Sequence, residues 1–309
     1  MGGLQFISLK NLVKKNKIDF IGIGAMKCGT TWIADQLQDH PEISFSREKS
    51  LKELHFFASD TKQSLKIHGP SNYSRGLDWY LSQFPDVQKG KIRGEYCNSY
   101  ISDTKAADRI KSFDPNIKLI VSLRNPVDMV YSLFWYLNSS LNSPFLDTFE
   151  KSFSKLSWYR TKALYYEQLK YYFSIFPKKQ IHVIIFDDIV NNPKKVCKDL
   201  YKFLELKNVE YVPKTLKQNS RSAVTKRFGV LSKFFFSIAK CLQKFSPKLY
   251  WDITNNRMVY SFYKKVNNKS FKYPKINKDT ELMVYNYYSS DINKLEKLID
   301  KDLSGWKKV

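Results

Sequence analysis

Histidine and cysteine are scarce, with four of each in 309 residues. The cysteines, Cys28, Cys97, Cys197 and Cys241, lie far apart and share no CxxC spacing. That distribution argues against a structural zinc framework and a dense disulfide scaffold, and it predicts free thiols in a reducing compartment. Clustered Asp/Glu boxes are also missing, so no metal is expected to be required. No uninterrupted apolar run approaches the ~20 residues of a membrane-spanning helix. The stretch from Met1 to Lys17 is too polar for the apolar segment of a signal peptide. A cytoplasmic protein is expected. The chain lacks internal repeats, low-complexity tracts and Pro/Gly/Ser linkers, so residues 1–309 are read as one domain.

Acidic residues are in deficit, 29 against 52 Lys and Arg, which leaves a formal charge of +23. The basic residues are spread along the chain, with no basic tail. Its partners are therefore expected to be anionic: nucleic acid, an anionic membrane, a charged polysaccharide or a multiply phosphorylated nucleotide, among which charge alone does not choose. Between Phe228 and Phe245, Leu231, Phe234, Phe235, Ile238 and Leu242 recur at helical spacing among Lys233, Lys240 and Lys244. This reads as an amphipathic helix packed on the core, with peripheral contact to the inner membrane surface as the alternative.

An apolar fraction of 43% is enough for a sizeable core. Three apolar runs read as buried parallel strands, Ile18 to Gly24, Lys118 to Leu123 and Ile181 to Phe186. Each is followed by a helical pattern: Thr30 to Leu37, Val127 to Leu137, and Pro193 to Leu204. Strand then helix, repeated, predicts an α/β three-layer sandwich around a central parallel sheet. Glu205 to Ser222 reads as a long loop, and Thr280 to Leu303 as a closing helix in a C-terminal helical region spanning about 226–309. Ligands of such sheets sit at the carboxyl ends of the strands, which points to the loops after Gly24 and Leu123.

The first of these loops, Gly24-Ala25-Met26-Lys27-Cys28-Gly29-Thr30-Thr31-Trp32, runs from strand to helix start. Unpaired amides and the positive end of the helix dipole make that junction an anion site. Thr30 and Thr31 add hydroxyls and Lys27 a full charge. The pattern is not GxxxxGK[ST], because Lys27 precedes Gly29, nor is it GxGxxG. After the second strand, Arg124 stands at the carboxyl end and Ser132 two turns into the next helix, a pair able to converge on one phosphate.

The first loop resembles the 5′-phosphosulfate-binding loop of sulfotransferases, P-K-S/T-G-T-T-W/A, with Met26 in place of the usual Pro and Cys28 in place of Ser or Thr. Arg124-Asn125-Pro126, with Ser132 eight positions after the Arg, resembles the 3′-phosphate motif of the same family. The resemblance implies a P-loop-like site for 3′-phosphoadenosine 5′-phosphosulfate, with 3′-phosphoadenosine 5′-phosphate as product. Lys27, Cys28, Gly29, Thr30 and Thr31 would hold the 5′ end, and Arg124 and Ser132 the 3′-phosphate. Trp32 matches a position that stacks adenine in cytosolic members, and is equally read as a core aromatic. Asn219, Ser220 and Arg221 resemble a third nucleotide contact of bacterial members, with a solvated loop as the equal reading.

Transfer to a hydroxyl or amine calls for a positioned base. Lys52-Glu53-Leu54-His55-Phe56-Phe57 resembles the K-E-x-H-F-F motif of the glycan-modifying branch, whose Glu is the proposed base. Glu53 is therefore the expected base, with Lys52 and His55 as supporting residues that tune its pKa or touch the acceptor, Lys52 being read as substrate-binding. His55 is also open to a core reading. Glycan-type members read G-E-K-T-P-x-Y where this chain has Gly94-Glu95-Tyr96-Cys97-Asn98-Ser99-Tyr100, so Tyr96 stands where a substrate- or sulfate-contacting Lys is expected and is read as a substrate-binding residue. Asn72 to Tyr80 resembles that branch's N-Y-x-x-G-x-x-W-Y segment and reads as a helix start beside the site. The expected acceptor is a glycan or glycolipid, with a small secondary metabolite second. A nucleotide kinase and a basic nucleic-acid-binding protein are the rivals, the first lacking its phosphate loop and the second any recognisable motif.

Overall fold

The computed structural model describes residues 17–45, 53–60, 71–85, 89–139, 148–216, 222–226 and 268–307. They belong to two compact units, one of residues 1–133, 146–218 and 276–309, the other of 134–145 and 219–275. In chain order the elements are β1 (Phe20–Gly24), α1 (Thr30–Asp39), β2 (Ile43–Phe45), α2 (Gly76–Ser82), β3 (Ile92–Tyr96), α3 (Ala106–Phe113), β4 (Lys118–Leu123), α4 (Pro126–Ser139), α5 (Phe149–Lys155), α6 (Ser157–Arg160), α7 (Tyr165–Ile175), β5 (Ile181–Ile185), α8 (Phe186–Asn191), α9 (Pro193–Phe203), β6 (Ser222–Lys226), β7 (Asn268–Lys272) and α10 (Lys278–Ile299).

The larger unit is built on a five-stranded sheet in the order β2-β3-β1-β4-β5, with every neighbouring pair parallel. The three expected strands form within two residues of their predicted limits, and the α/β reading holds. β2 and β3 were not expected. β2 has only three residues, and β3 carries Arg93 and Glu95 in a five-residue strand, which breaks the apolar run that marks a parallel strand. Both charged side chains are nonetheless buried. Arg93 donates through Nε to the Lys17 carbonyl at 2.9 Å and through Nη1 to the Pro85 carbonyl at 3.1 Å.

One face of the sheet presents Phe20, Tyr96, Ile120 and Ile184 to Trp32, Ile33 and Leu37 of α1 and to Val196, Leu200 and Tyr201 of α9. The other face, including Ile21, Ile23, Leu119 and Val121, is equally buried. On the first face two glycines set how closely β1 and β3 approach. Phe20 pairs with Gly94 and Gly22 with Tyr96, so each strand lays an aromatic ring over the other's missing side chain. A Cβ on Gly94 would lie 2.4 Å from the Phe20 ring, and one on Gly22 would lie 2.2 Å from the Tyr96 ring.

The smaller unit contains the antiparallel pair β6 and β7, registered from Ser222↔Lys272 to Lys226↔Asn268. Ser222 therefore opens a strand, and β7 interrupts the region expected to be helical; among the described residues of that region α10 is a long helix. The segment from Phe228 to Phe245 lies outside the described residues. Among the described residues no helix is long and apolar enough to cross a membrane.

The interlock of rings and glycines predicts that Gly94→Ala destabilises the fold by about 1–3 kcal/mol through overpacking. Urea unfolding reads this as a lower midpoint, and an unchanged midpoint would show that β1 and β3 have room to spare.

Candidate active site

The chain leaves β1 toward β2 and β3 on one side and returns to β4 and β5 on the other, so the order reverses between β1 and β4. Ligands of open parallel sheets bind at the carboxyl ends on either side of such a reversal. The two loops singled out in the sequence, after Gly24 and after Leu123, flank that point.

The loop from Gly24 to Gly29 is fixed by its carbonyl groups. The Tyr96 hydroxyl donates to the Gly24 carbonyl at 2.8 Å, the Cys28 thiol to Met26 at 3.2 Å, Arg124 Nη1 to Lys27 at 3.5 Å, and the Ser122 hydroxyl to Cys28 at 2.6 Å. The Gly29 carbonyl accepts from the Ile33 amide inside α1 at 3.0 Å, and the Ala25 amide is tied to the Ser122 carbonyl at 2.8 Å. Carbonyl oxygens repel an anion, and here those of Gly24, Met26, Lys27, Cys28 and Gly29 are engaged. Lys27 at φ 60° and Gly29 at φ 82° make the turn into α1. A side chain at 29 would also press on Phe186 and Ile189, 3.0 and 3.1 Å from its Cβ, so glycine is required there for conformation and for space. Helix α1 starts without a side-chain cap and without an acidic residue in its first turn. A helix start of that kind, with its amides and positive dipole end, suits an anion. By contrast, Asn277 caps α10, accepting from the Thr280 amide.

Arg124, 6% exposed, completes this end of the sheet. One of its terminal nitrogens pairs with Asp128 at 3.1 Å and its guanidinium lies 4.7 Å above the Phe186 ring. Its Nε is buried with no hydrogen-bond partner among the described residues. A buried, unpaired guanidinium N–H next to an uncapped helix start fits a phosphate ligand. Ser132 is buried two turns along α4. Thr30 is buried, Thr31 is exposed and Lys27 is half-buried.

Two members of the expected cradle have their side chains engaged elsewhere. The Cys28 thiol is fully buried and lies 3.5 Å from the Tyr165 hydroxyl, with burial pushing its pKa up to about 11. Trp32 packs in the core beneath the sheet and donates its indole N–H to the Leu216 carbonyl at 3.3 Å, which matches the core reading.

Tyr96 is a correction. It was expected among the substrate-binding residues, but it is fully buried, its ring covering Gly22 and its hydroxyl bound to Gly24, so no acceptor reaches it. Odd and even positions of a strand face opposite sides, and position 96 faces the α1 side, under the loop. Lys52, Asn219, Ser220 and Arg221 lie outside the described residues.

Glu53 enters the site from the segment before α2. The Asn98 amide nitrogen donates to its Oε1, and its Oε2 lies 3.5 Å from His55 Nε2. The Asn98 carbonyl is 3.0 Å from where a Gly24 Cβ would stand, which sets this carboxylate beside the loop. Burial lowers the His55 pKa to about 4, so the imidazole is neutral at ordinary pH and its contact with Glu53 is not an ion pair. His55 Nδ1 is 3.2 Å from the Ser99 hydroxyl. Asn72 Nδ2 donates to the Leu54 carbonyl at 2.8 Å, tying the stretch before α2 to the Glu53 segment as the sequence suggested.

Sequence reasoning missed Asn98 and Glu95, because both depend on recognising β3. Glu95 is fully buried and anchors the Glu53 segment. It accepts from the Tyr80 hydroxyl at 3.0 Å and the Tyr100 hydroxyl at 3.3 Å, and Tyr100 in turn accepts from the Phe57 amide at 3.3 Å. Burial raises its pKa to about 8. The signal available in the sequence was a charged pair, Arg93 and Glu95, spaced two apart around a glycine. A shallow pocket beside α9, lined by Lys194, Lys195, Lys198 and Tyr211, contains none of these residues.

Residues 17–236 match the family model of the sulfotransferase domain. The chain belongs to that family. A membrane-associated sulfotransferase, kil1, of Dictyostelium discoideum is 24% identical over 62% of this chain and 57% of its own. A bifunctional heparan sulfate N-deacetylase/N-sulfotransferase 1 of Caenorhabditis briggsae is 30% identical over 62% of this chain and 23% of its own, and human heparan sulfate glucosamine 3-O-sulfotransferase 5 is 26% identical over 71% and 61%. The chain thus spans less than two thirds of each of these curated relatives. The crystal structure of a sulfotransferase from Alicyclobacillus acidocaldarius superimposes with a TM-score of 0.67 at 22% identity, covering 94% of this chain and 99% of that one, and shares its fold.

Glu95 gives this sulfotransferase-family site a measurable pH signature. The folded state keeps the Glu95 proton up to about pH 8, whereas the unfolded chain releases it near the ordinary value of 4.5. The folded state binds more protons across that window, so stability falls as pH rises through it. Glu95→Gln keeps the shape and removes the titration, and its melting temperature is predicted to gain progressively on that of the wild type across the window. A constant difference between the two would contradict a buried, protonated carboxyl.

Proposed function

We propose that this protein transfers a sulfuryl group from 3′-phosphoadenosine 5′-phosphosulfate to a hydroxyl or amine of an acceptor, leaving 3′-phosphoadenosine 5′-phosphate. The supporting observation is the paired anion receptor at the sheet's reversal: a loop whose carbonyls are nearly all engaged, opening into the uncapped start of α1, beside the buried Nε of Arg124. The donor supplies a sulfuryl group already bonded to a leaving phosphate. The residues supply position and charge. Lys27 and the amides of Gly29, Thr30 and Thr31 hold the 5′ end and stabilise charge on the departing oxygen. Arg124 and Ser132 hold the 3′-phosphate and fix the donor's direction. Glu53, held by Asn98 next to Gly24, takes the acceptor's proton, and neutral His55 orients it without cancelling its charge.

A sulfuryl group carries less charge than a terminal phosphoryl group, so Lys27 suffices and this reading gives a metal no part in the transfer. Lys52, Asn219, Ser220 and Arg221 keep the roles that the resemblance implies. A carbohydrate acceptor is favoured because relatives of this chain bear heparan sulfate sulfotransferase names and because the +23 charge suits an anionic glycan. The family match covers most of the larger unit and reaches into the smaller one as far as residue 236, which supports reading the chain as one sulfotransferase domain. A cytoplasmic location, with peripheral membrane contact through 228–245, belongs to the same reading.

Incubation with isotopically labelled donor and a panel of glycans and small metabolites tests it: label is expected on a glycan, and label on no acceptor would reject the activity. Lys27→Ala and Glu53→Gln should each lower turnover about 10²-fold or more with unchanged far-UV circular dichroism. Full activity in either variant would reject that residue's role.

A further inference from the structure

The segment leading into α2 has no part in the transfer step, yet it carries an ordered cation. Asn72 ties it to the stretch that bears the candidate base, its backbone amide donating to the His55 carbonyl at 3.2 Å. A single tight turn, Tyr73–Arg75, then runs into α2. Tyr73 is 44% exposed, Arg75 is exposed, and Trp79 on α2 is half-buried. The buried Phe56 ring packs against both aromatics, 5.4 Å from that of Tyr73 and 6.2 Å from that of Trp79. Each of the two carries a guanidinium, Arg109 at 3.8 Å from the Tyr73 centroid and Arg75 at 4.2 Å from that of Trp79. From this arrangement we infer that Tyr73, Arg75 and Trp79 form a subsite for an acidic sugar unit of the acceptor, next to the unit that receives the sulfuryl group. The inference rests on reading the acceptor as a glycan.

The two guanidinium groups differ in what else they hold. Arg109 donates through Nη1 to the Phe57 carbonyl at 3.3 Å and to that of Ala58, so it fastens the backbone beyond His55. Arg75 has neither an ion pair nor a side-chain hydrogen bond among the described residues. Its contact with the Trp79 ring restrains the side chain without engaging a hydrogen-bond acceptor, and its fork of donors stays free to take a carboxylate or sulfate through two parallel bonds. An exposed ring beside such a fork suits a pyranose: the sugar's C–H face packs on Tyr73 while its acidic substituent meets Arg75. In the proposed reaction the donor's phosphates go to the loop after β1 and to Arg124, which leaves the acceptor as the source of the anion.

The test is titration of the full chain, without donor, with an oligosaccharide of alternating glucuronic acid and N-acetylglucosamine, and with the same oligosaccharide after its carboxyls are reduced to alcohols. The acidic form should bind more tightly than the reduced one. Arg75→Ala should weaken binding of the acidic form about 10-fold or more, the worth of a charge-assisted hydrogen bond, and should remove the difference between the two forms. Arg75→Lys, which keeps the charge without the fork, should restore only part of that loss. Lys195→Ala, which removes an exposed cation of α9, should change the affinity for neither form, and adenosine 3′,5′-bisphosphate should bind wild type and Arg75→Ala alike. No binding of the acidic form, equal binding of the two forms, or equal losses in Arg75→Ala and Lys195→Ala overturns the inference. Binding that depends on Arg75 while no acceptor gains label keeps the subsite and counts against the transfer activity. Transfer to the acidic glycan with the same KM in Arg75→Ala as in wild type keeps the activity and overturns the subsite.

Discussion

The site depends on how the turn after β1 disposes of its carbonyl groups. An anion receptor made of backbone amides fails if the intervening oxygens share its mouth, and a short loop between a strand and a helix has no internal ladder to hold them away. Here the neighbouring strands do so. β3 reaches in with the Tyr96 hydroxyl, and β4 with the Ser122 hydroxyl and Arg124. The loop is therefore shaped by the two strands that flank it in the sheet, and its anion-binding capacity follows from the strand order.

That dependence explains the tight fit between β1 and β3. Phe20 over Gly94 and Tyr96 over Gly22 fix the register that brings the Tyr96 hydroxyl to Gly24 and sets Cys97 and Asn98 beside the loop. Glu95, on the opposite face, secures the segment that carries Glu53. A single five-residue strand thus supports the loop after β1 from one face and the candidate base from the other.

The sequence showed the parts of this arrangement that have local causes. β1, β4 and β5 are apolar runs, α1 and α4 follow them at once, and Lys27, Gly29 and Arg124 stand where strand meets helix. β3 has no such cause: its buried Arg93 and protonated Glu95 are held by distant groups, the Lys17 and Pro85 carbonyls and the Tyr80 and Tyr100 hydroxyls. With β3 unseen, Asn98 and Glu95 went unnoticed and Tyr96 was assigned to the acceptor. The resemblance concerns its position along the chain, whereas the side to which it points is set by the pleat. Cys28 shows the same limit, since its position lies in the loop while its thiol belongs to the core.

The central claim, that one adenosine nucleotide bridges the loop and Arg124, is tested most directly by calorimetric titration with adenosine 3′,5′-bisphosphate at two salt concentrations. The account predicts one nucleotide per chain, weaker at higher salt, with most of the affinity lost in Arg124→Ala. No heat of binding, or an affinity that Arg124→Ala leaves unchanged, would contradict it.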